Sequence, residues 1–176
     1  MAVSTVRVGV GCFVTKREGG ETYFLLGQRK GSHGSGTWEL PGGHLEMGES
    51  WSTCAKREVL EECGVELLPD LDHVATVNSV FAESVPMKHY VDLFMAPKAP
   101  AEFKGSVRLM EPDKCLRWVW VTWKEAVAHR AAHTRDACCD SESNEAWEQP
   151  LTLDPLFLPL EKLIAQLGTD SKPSWL

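Results

Sequence analysis

Glu58, Glu61 and Glu62 follow one another at helical spacing. On a helix, residues three and four apart are neighbours, so these carboxylates share one face and can hold a common object. Crowded carboxylates repel each other. A hard divalent cation removes that cost, and oxygen ligands suit Mg²⁺ or Mn²⁺. Mg²⁺ keeps part of its water shell and takes phosphate oxygens through other positions. The turn at Gly42-Gly43, just ahead of the glutamates, offers a backbone carbonyl as a further ligand. A carboxylate-held metal that also grips phosphate suggests cleavage of a phosphate ester or a diphosphate. Taken alone, three glutamates read equally well as a solvated acidic helix face.

The glutamates need an element to carry them. Ser50 to Cys63 reads as a helix, with Ser50 as N-cap and Gly64 as a left-handed stop. Trp51, Cys54, Ala55, Val59 and Leu60 give it a mixed apolar face. Upstream, Val3 to Lys16 alternates as a strand, with Val6, Val8, Val10, Cys12 and Val14 on one face. Arg7, Gly9, Gly11 and Phe13 take the other face, where two glycines imply close approach by backbone or ligand. Thr22 to Arg29 is the return strand of a hairpin, and Thr37 to Leu40 a short strand ended by Pro41. Strands follow within 65–82, over 87–97 and over 117–121. A helix begins at Trp123 and extends to Arg130, and an amphipathic helix covers Leu158 to Leu167. This order predicts a mixed α+β fold, not a regular doubly wound sheet.

Composition narrows the function. The chain has 176 residues, 43% of them hydrophobic, which suits one domain over 1–176 with an ordinary core. Lys plus Arg number 18 and Asp plus Glu 25, a net charge of −7. A surface this acidic argues against nucleic-acid binding. No apolar run approaches a membrane span, and Met1 to Arg7 has no apolar signal core. Cys12, Cys54, Cys63 and Cys115 sit singly in apolar stretches, as reduced buried thiols do. A cytoplasmic protein is expected. Trp118, Trp120 and Trp123 read as core and sheet packing.

Gly43, Glu49, Arg57, Glu58, Val59, Glu61, Glu62, Gly64 and Val65 complete a longer pattern, Gly-x5-Glu-x7-Arg-Glu-U-x-Glu-Glu-x-Gly-U, where U is bulky and apolar. In this the chain resembles the Nudix hydrolases. The resemblance implies an α/β/α sandwich with a mixed central β-sheet. It implies hydrolysis of a nucleoside diphosphate linked to another group. Glu58, Glu61 and Glu62 would ligate Mg²⁺ (or Mn²⁺) with the Gly43 carbonyl, and Arg57 would pair with Glu49 to orient the helix. A glutamate would serve as general base.

The segments 25–32, 38–51, 78–81, 89–91, 110–115 and 155–163 also resemble a MutT-like subgroup that includes plant cytosolic and mammalian nucleotide triphosphate diphosphatases. That narrower likeness implies homodimers that convert ordinary or modified nucleoside triphosphates, such as 8-oxo-dGTP, to monophosphate and pyrophosphate. Dihydroneopterin triphosphate, NADH or a prenyl diphosphate are alternative substrates. A non-catalytic nucleotide sensor is the alternative from another class, and the complete set of carboxylates argues against it.

The likeness also implies contacts to substrate from Arg7, Gly9, Arg29, Glu39, Leu40, His44, Asn78, Phe157 and Leu158, and a further metal ligand or base at Glu111 or Asp113. Arg29 reads either as a phosphate contact or as a plain surface arginine, and His44 either as a substrate contact or as a loop brace. Leu158 stands where the relatives carry an aromatic, which removes a stacking surface. Glu39 replaces a Gln, and a carboxylate accepts hydrogen bonds but donates none unless protonated. Residues 126–149 look like a surface insertion. His129, His133, Cys138 and Cys139 within it could bind Zn²⁺, but adjacent cysteines suit one tetrahedral ion poorly.

Overall fold

The alternating stretch at the start of the chain does not form one strand. In the computed structural model, which describes residues 5–31, 33–68, 70–98, 103–128, 155–168 and 172–176, it divides into β1 (Arg7–Cys12) and β2 (Thr15–Glu18). The cause is that two separate cores flank this segment. Val10, Cys12 and Val14 enter one, and Phe13 enters the other. A residue read as facing away from the core is thus fully buried.

β2 turns through Gly19-Gly20 into β3 (Glu21–Arg29), with Lys16 opposite Tyr23. β4 (Trp38–Glu39) pairs with β3, and β5 (Gly42–His44) runs antiparallel to β1. The helix α1 (Trp51–Cys63) follows. Then come β6 (Glu66–Leu67), β7 (Leu71–Phe81), β8 (Lys88–Pro97), β9 (Phe103–Lys104) and β10 (Cys115–Thr122). The short helix α2 (Trp123–Val127) and the helix α3 (Leu158–Leu167) complete the described elements.

The mixed sheet has the order β5-β1-β8-β7, parallel only between β1 and β8. A second sheet runs β10-β3-β2, and β6 pairs with β9. Strand alternation feeds both faces of the mixed sheet. On β8, Leu93 and Met95 join the core that contains Cys54, Ala55 and Val59 of α1. Phe94 and Ala96 join the core that contains Leu160, Leu163 and Ile164 of α3. Helices therefore cover the mixed sheet on both sides, in an α+β fold. Each buried side chain of this size contributes about 1.5–3 kcal/mol.

α1 has the predicted ends. Ser50 Oγ accepts from the Thr53 N–H at 3.1 Å, and Gly64 is left-handed at φ 68° with its N–H on the Leu60 carbonyl. Its buried stripe is Cys54, Ala55, Val59 and Cys63. Trp51 and Leu60, read as apolar-face residues, are about half exposed instead. Trp118 and Trp123 are buried as expected, as are Cys12, Cys54, Cys63 and Cys115, which are unpaired. Among the described residues no helix is long and apolar enough to cross a membrane. α2 starts in a capping box between Thr122 and Glu125. His129, His133, Cys138, Cys139 and the rest of the expected insertion beyond Ala128 lie outside the described residues.

Candidate active site

β5 sets the geometry of the site. Its pairing with β1 places Gly43 opposite Val10 and His44 opposite Gly9, and the Leu45 N–H continues the ladder to the Val8 carbonyl. The turn into α1 is then held by Arg57. Its Nε and Nη2 donate to the two oxygens of Glu49 at 2.9 and 3.0 Å, and Nη2 also reaches the His44 carbonyl at 3.2 Å. Nη1 donates to Glu58 at 2.7 Å and to Glu61 at 3.4 Å. One guanidinium thus ties the loop, the first turn and two of the three helix carboxylates together. Such a two-pronged pair is stronger and more directional than a simple ion pair. The Arg57 guanidinium holds the Glu49 carboxyl down to about 2.

Glu58 and Glu62 face the β5 turn. The Gly42 N–H donates to Glu62 Oε2 at 3.0 Å. Glu58 lies so close to Gly43 that a side-chain carbon there would run into its carboxylate. A side chain at Gly43 would therefore displace the Glu58 carboxylate. Glu61 is about half exposed. Glu111 approaches from the loop before β10. That loop is pinned by the Met110 N–H to the Glu62 carbonyl, at 3.1 Å, and by Lys30 Nζ to the Pro112 carbonyl, at 3.0 Å. Glu111 accepts from Lys114 at 2.8 Å. Burial pushes the Glu62 carboxyl well up, and the charges of Glu39, Glu58 and Glu111 push it further. Burial also raises Glu58, against the pull of Arg57.

Among the described residues no three His, Cys, Asp or Glu side chains converge on one point as metal ligands. Arg57 bridges Glu58 and Glu61 instead. The donor set nonetheless fits a hard divalent ion: burial raises the cost of ionising Glu58 and Glu62, the charges of Glu58 and Glu111 add to it at Glu62, and a cation among them would relieve it.

Beside this cluster opens a cavity of about 260 Å³. Arg7, Gly9, Arg29, Glu39, Leu40, Gly43, His44 and Phe157 all line it. Asn78 and Leu158 do not. Period-two alternation turns Asn78 outward, where His89 bonds it at 2.6 Å, and brings Phe81 to the cavity. At the start of α3, the cavity takes Pro159 and Leu160 in place of Leu158. The glycines of β1 are approached by side chains of β8: Gly9 by the Asp92 carboxyl and Gly11 by the Phe94 ring.

The cavity has two halves. Phe81 and Phe157 stack at 5.4 Å and 25°, which supplies the flat surface that Leu158 lacks. His33 stands edge-on to Phe81 at 4.2 Å. Arg29 is no free surface arginine. It is ion-paired with Glu39, donates to the His33 carbonyl at 3.0 Å and lies 4.3 Å above the Phe157 ring. Burial still pushes the Glu39 carboxyl up. The other half carries Arg7, Lys88, Tyr90 and His44 beside Gly43. Burial, with Arg7 and Lys88 nearby, lowers the His44 pKa, so its ring favours the neutral form. His33, Phe81, Lys88, Tyr90 and Asp92 were not predicted as site residues. A charge inside the apolar run Val91-Asp92-Leu93-Phe94-Met95 is the one sequence signal that marks any of them.

A mixed sheet covered by helices carries an acidic helix beside an aromatic and cationic cavity. The NUDIX domain family matches residues 5–139, and the chain belongs to that family. A MutT Nudix hydrolase structure from Burkholderia pseudomallei is similar at 29% identity, over 68% of this chain and 85% of that one, with a TM-score of 0.58. The MutT protein of Methanosarcina mazei Go1 matches at 24% identity over 73% and 85%, with a TM-score of 0.54. The ORF135 protein of E. coli matches at 24% over 71% and 79%, also with a TM-score of 0.54. These last two likenesses concern the fold. The chain is a Nudix hydrolase of the MutT type, an enzyme acting on pyrophosphate bonds.

Proposed function

We propose that the protein hydrolyses nucleoside triphosphates, ordinary or oxidised, to the monophosphate and pyrophosphate, with Mg²⁺ (or Mn²⁺) as cofactor. The observation that carries this is the adjacency of the two halves: a stacked Phe81–Phe157 wall for a flat ring, and Arg7, Lys88 and His44 leading to Gly43 and the box glutamates. The likeness to the MutT-like subgroup supports the same reading and extends it to a cytoplasmic homodimer.

Glu58, Glu62 and Glu111, with Glu61 and the Gly43 carbonyl, would hold the metal. When bound, the ion lowers the pKa of its water and offsets charge on the diphosphate. The residues of this chain do the rest. Arg57 orients Glu58 and braces the loop through Glu49. Arg7 and Lys88 compensate phosphate charge at the mouth. The aromatic wall orients the ring, so that positioning and charge compensation supply most of the rate. Water contributes the new oxygen on phosphorus, the anhydride bond breaks, and a glutamate takes the proton.

The test is a hydrolysis panel in Mg²⁺, with products separated by chromatography. It covers the four dNTPs, 8-oxo-dGTP, dihydroneopterin triphosphate, NADH and geranyl diphosphate. Expected is metal-dependent release of monophosphate and pyrophosphate, lost in a Glu58→Gln, Glu61→Gln double variant. No release from any triphosphate sinks the proposal.

A further inference from the structure

Asp92 is a charge that the machinery above does not use. It lies on β8 opposite Gly9 of β1 and Val77 of β7, is 8% exposed and lines the cavity. Its Oδ2 is buried and has no hydrogen-bond partner. The Ser79 hydroxyl and the Lys162 charge only partly offset the burial that disfavours an ionised Asp92. Lys162 spends its hydrogen bond on the Asn78 carbonyl at 2.6 Å. Two cations of the cavity are turned elsewhere, Arg7 to the Tyr90 hydroxyl and Arg29 to Glu39.

A buried carboxyl oxygen without a partner is costly and calls for something to complete it. The backbone makes room for this one. A side-chain carbon at Gly9 would sit 2.7 Å from Asp92 Oδ1, so any other residue there would displace the carboxyl. Phe94, Leu160 and the stacked Phe81–Phe157 pair line the same cavity, together with Arg7, Arg29, Lys88 and His44. A flat ring seated there needs a polar edge that matches a carboxylate, which accepts hydrogen bonds and gives none.

We infer that Asp92 is the specificity-determining residue: its carboxylate, with Oδ2 swung out of the burial it has here, accepts the N–H and NH₂ of a cyclic guanidine edge, as guanine and pterin rings present it. The inference rests on the triphosphate reading above and narrows it. The pair has the same two-pronged, charge-assisted form as an arginine–carboxylate pair. Hypoxanthine keeps the ring N–H but lacks the amino group. Adenine lacks the N–H as well. A site built to bond a substrate N–H discriminates strongly against an analogue without it, because the buried acceptor is left unpaired.

The test separates ring reading from chemistry. Calorimetry on the full chain in Mg²⁺ buffer gives the affinities of GMP, IMP and AMP, and kinetics give kcat/KM for dGTP, dITP and dihydroneopterin triphosphate. Wild type binds GMP at least about tenfold more tightly than IMP, and AMP more weakly still, with a matching dGTP-to-dITP ratio. Asp92→Asn, whose melting curve shows that it folds, brings the GMP-to-IMP ratio to within about threefold. If that variant does not fold, Asp92→Thr replaces it. If neither folds, the wild-type ratio decides. Dihydroneopterin triphosphate shares the edge, so its kcat/KM relative to dGTP shows which source of that edge is preferred, and both outcomes support the inference. Equal affinity for GMP and IMP in wild type, a ratio unchanged in a folded variant, or no binding of any of the three overturns it. Hydrolysis of dATP and dITP as fast as dGTP overturns it while leaving the triphosphate reading intact. Selective GMP binding without hydrolysis supports it and strikes the catalytic reading instead.

Discussion

At the scale of single residues, Arg57 does more than any other side chain. It reaches Glu49, Glu58, Glu61 and the His44 carbonyl from one guanidinium. Lysine cannot reproduce that fork. Arg57→Lys is therefore expected to keep the fold yet lower kcat/KM by about a hundredfold, the size of effect a misplaced catalytic group produces. Steady-state kinetics on the favoured triphosphate check it, and an unaltered kcat/KM would show that Glu58 is positioned without Arg57. Glu49 carries a stability prediction. Its carboxyl is held at about 2, against 4.5 for an unperturbed glutamate. A depressed acid pKa stabilises the fold above the unfolded value, and the gain disappears as pH falls through the folded one. The contribution is complete above about pH 5 and is lost as the pH falls through about 2. Glu49→Gln should therefore be less stable than wild type at neutral pH and approach it on acidification. Urea unfolding across that range checks the sign, and a constant gap between the two proteins would refute the assignment.

At the scale of elements, α1 and α3 were legible because their signals are local. Ser50, Gly64 and the apolar spacing marked one, and the amphipathic run 158–167 marked the other. The box carboxylates were legible for the same reason, since helical spacing alone groups them. The cavity wall was not. Phe81, Lys88, Tyr90 and Asp92 come from the ends and middle of β7 and β8, and only the register of those strands against β1 brings them beside Arg7 and Gly9. The break between β1 and β2 was hidden for a related reason. Alternation shows which residues share a face, not that both faces are covered. The caps of α1 also make a quantitative prediction. Ser50→Ala removes the acceptor for the Thr53 N–H and should cost about 1 kcal/mol. Gly64→Ala forces a side chain into the left-handed region and against Arg108 and Met110, at a cost of about 1–2 kcal/mol. The two sites lie at opposite ends of the helix, so the double variant should lose the sum. Chemical denaturation measures all three, and a strongly non-additive double variant would mean that the caps are coupled through the loop around Glu111.

At the scale of the whole molecule, a protein of net charge −7 acts on pyrophosphate bonds, in substrates that are themselves anionic. Local compensation must resolve this, and the two halves of the site divide it. Arg7, Lys88 and Arg29 line the cavity, whereas the acidic cluster has Arg57 and Lys114 and leaves Glu62 under the combined charge of Glu39, Glu58 and Glu111. For an acid whose folded pKa is raised, ionisation costs stability above the unfolded value near 4.5, and lowering the pH relieves that cost. The metal-free protein therefore carries a strain at neutral pH that two different changes should release. One is a divalent ion, which would bind the ionised oxygens and stabilise the native state by an amount that grows with the logarithm of its concentration relative to its Kd. Millimolar Mg²⁺ is expected to raise the melting temperature by several degrees near pH 8 and far less near pH 5.5, where protons compete for the same oxygens. The other is neutralisation. A Glu58→Gln, Glu62→Gln variant keeps an oxygen for the Gly42 N–H while losing the repulsion, so it should melt above metal-free wild type, ignore Mg²⁺ and be inactive. Thermal melts of both proteins at both pH values, with and without Mg²⁺, decide it. A wild-type melting temperature indifferent to Mg²⁺ near pH 8, or a variant that still responds, would place the metal away from these glutamates.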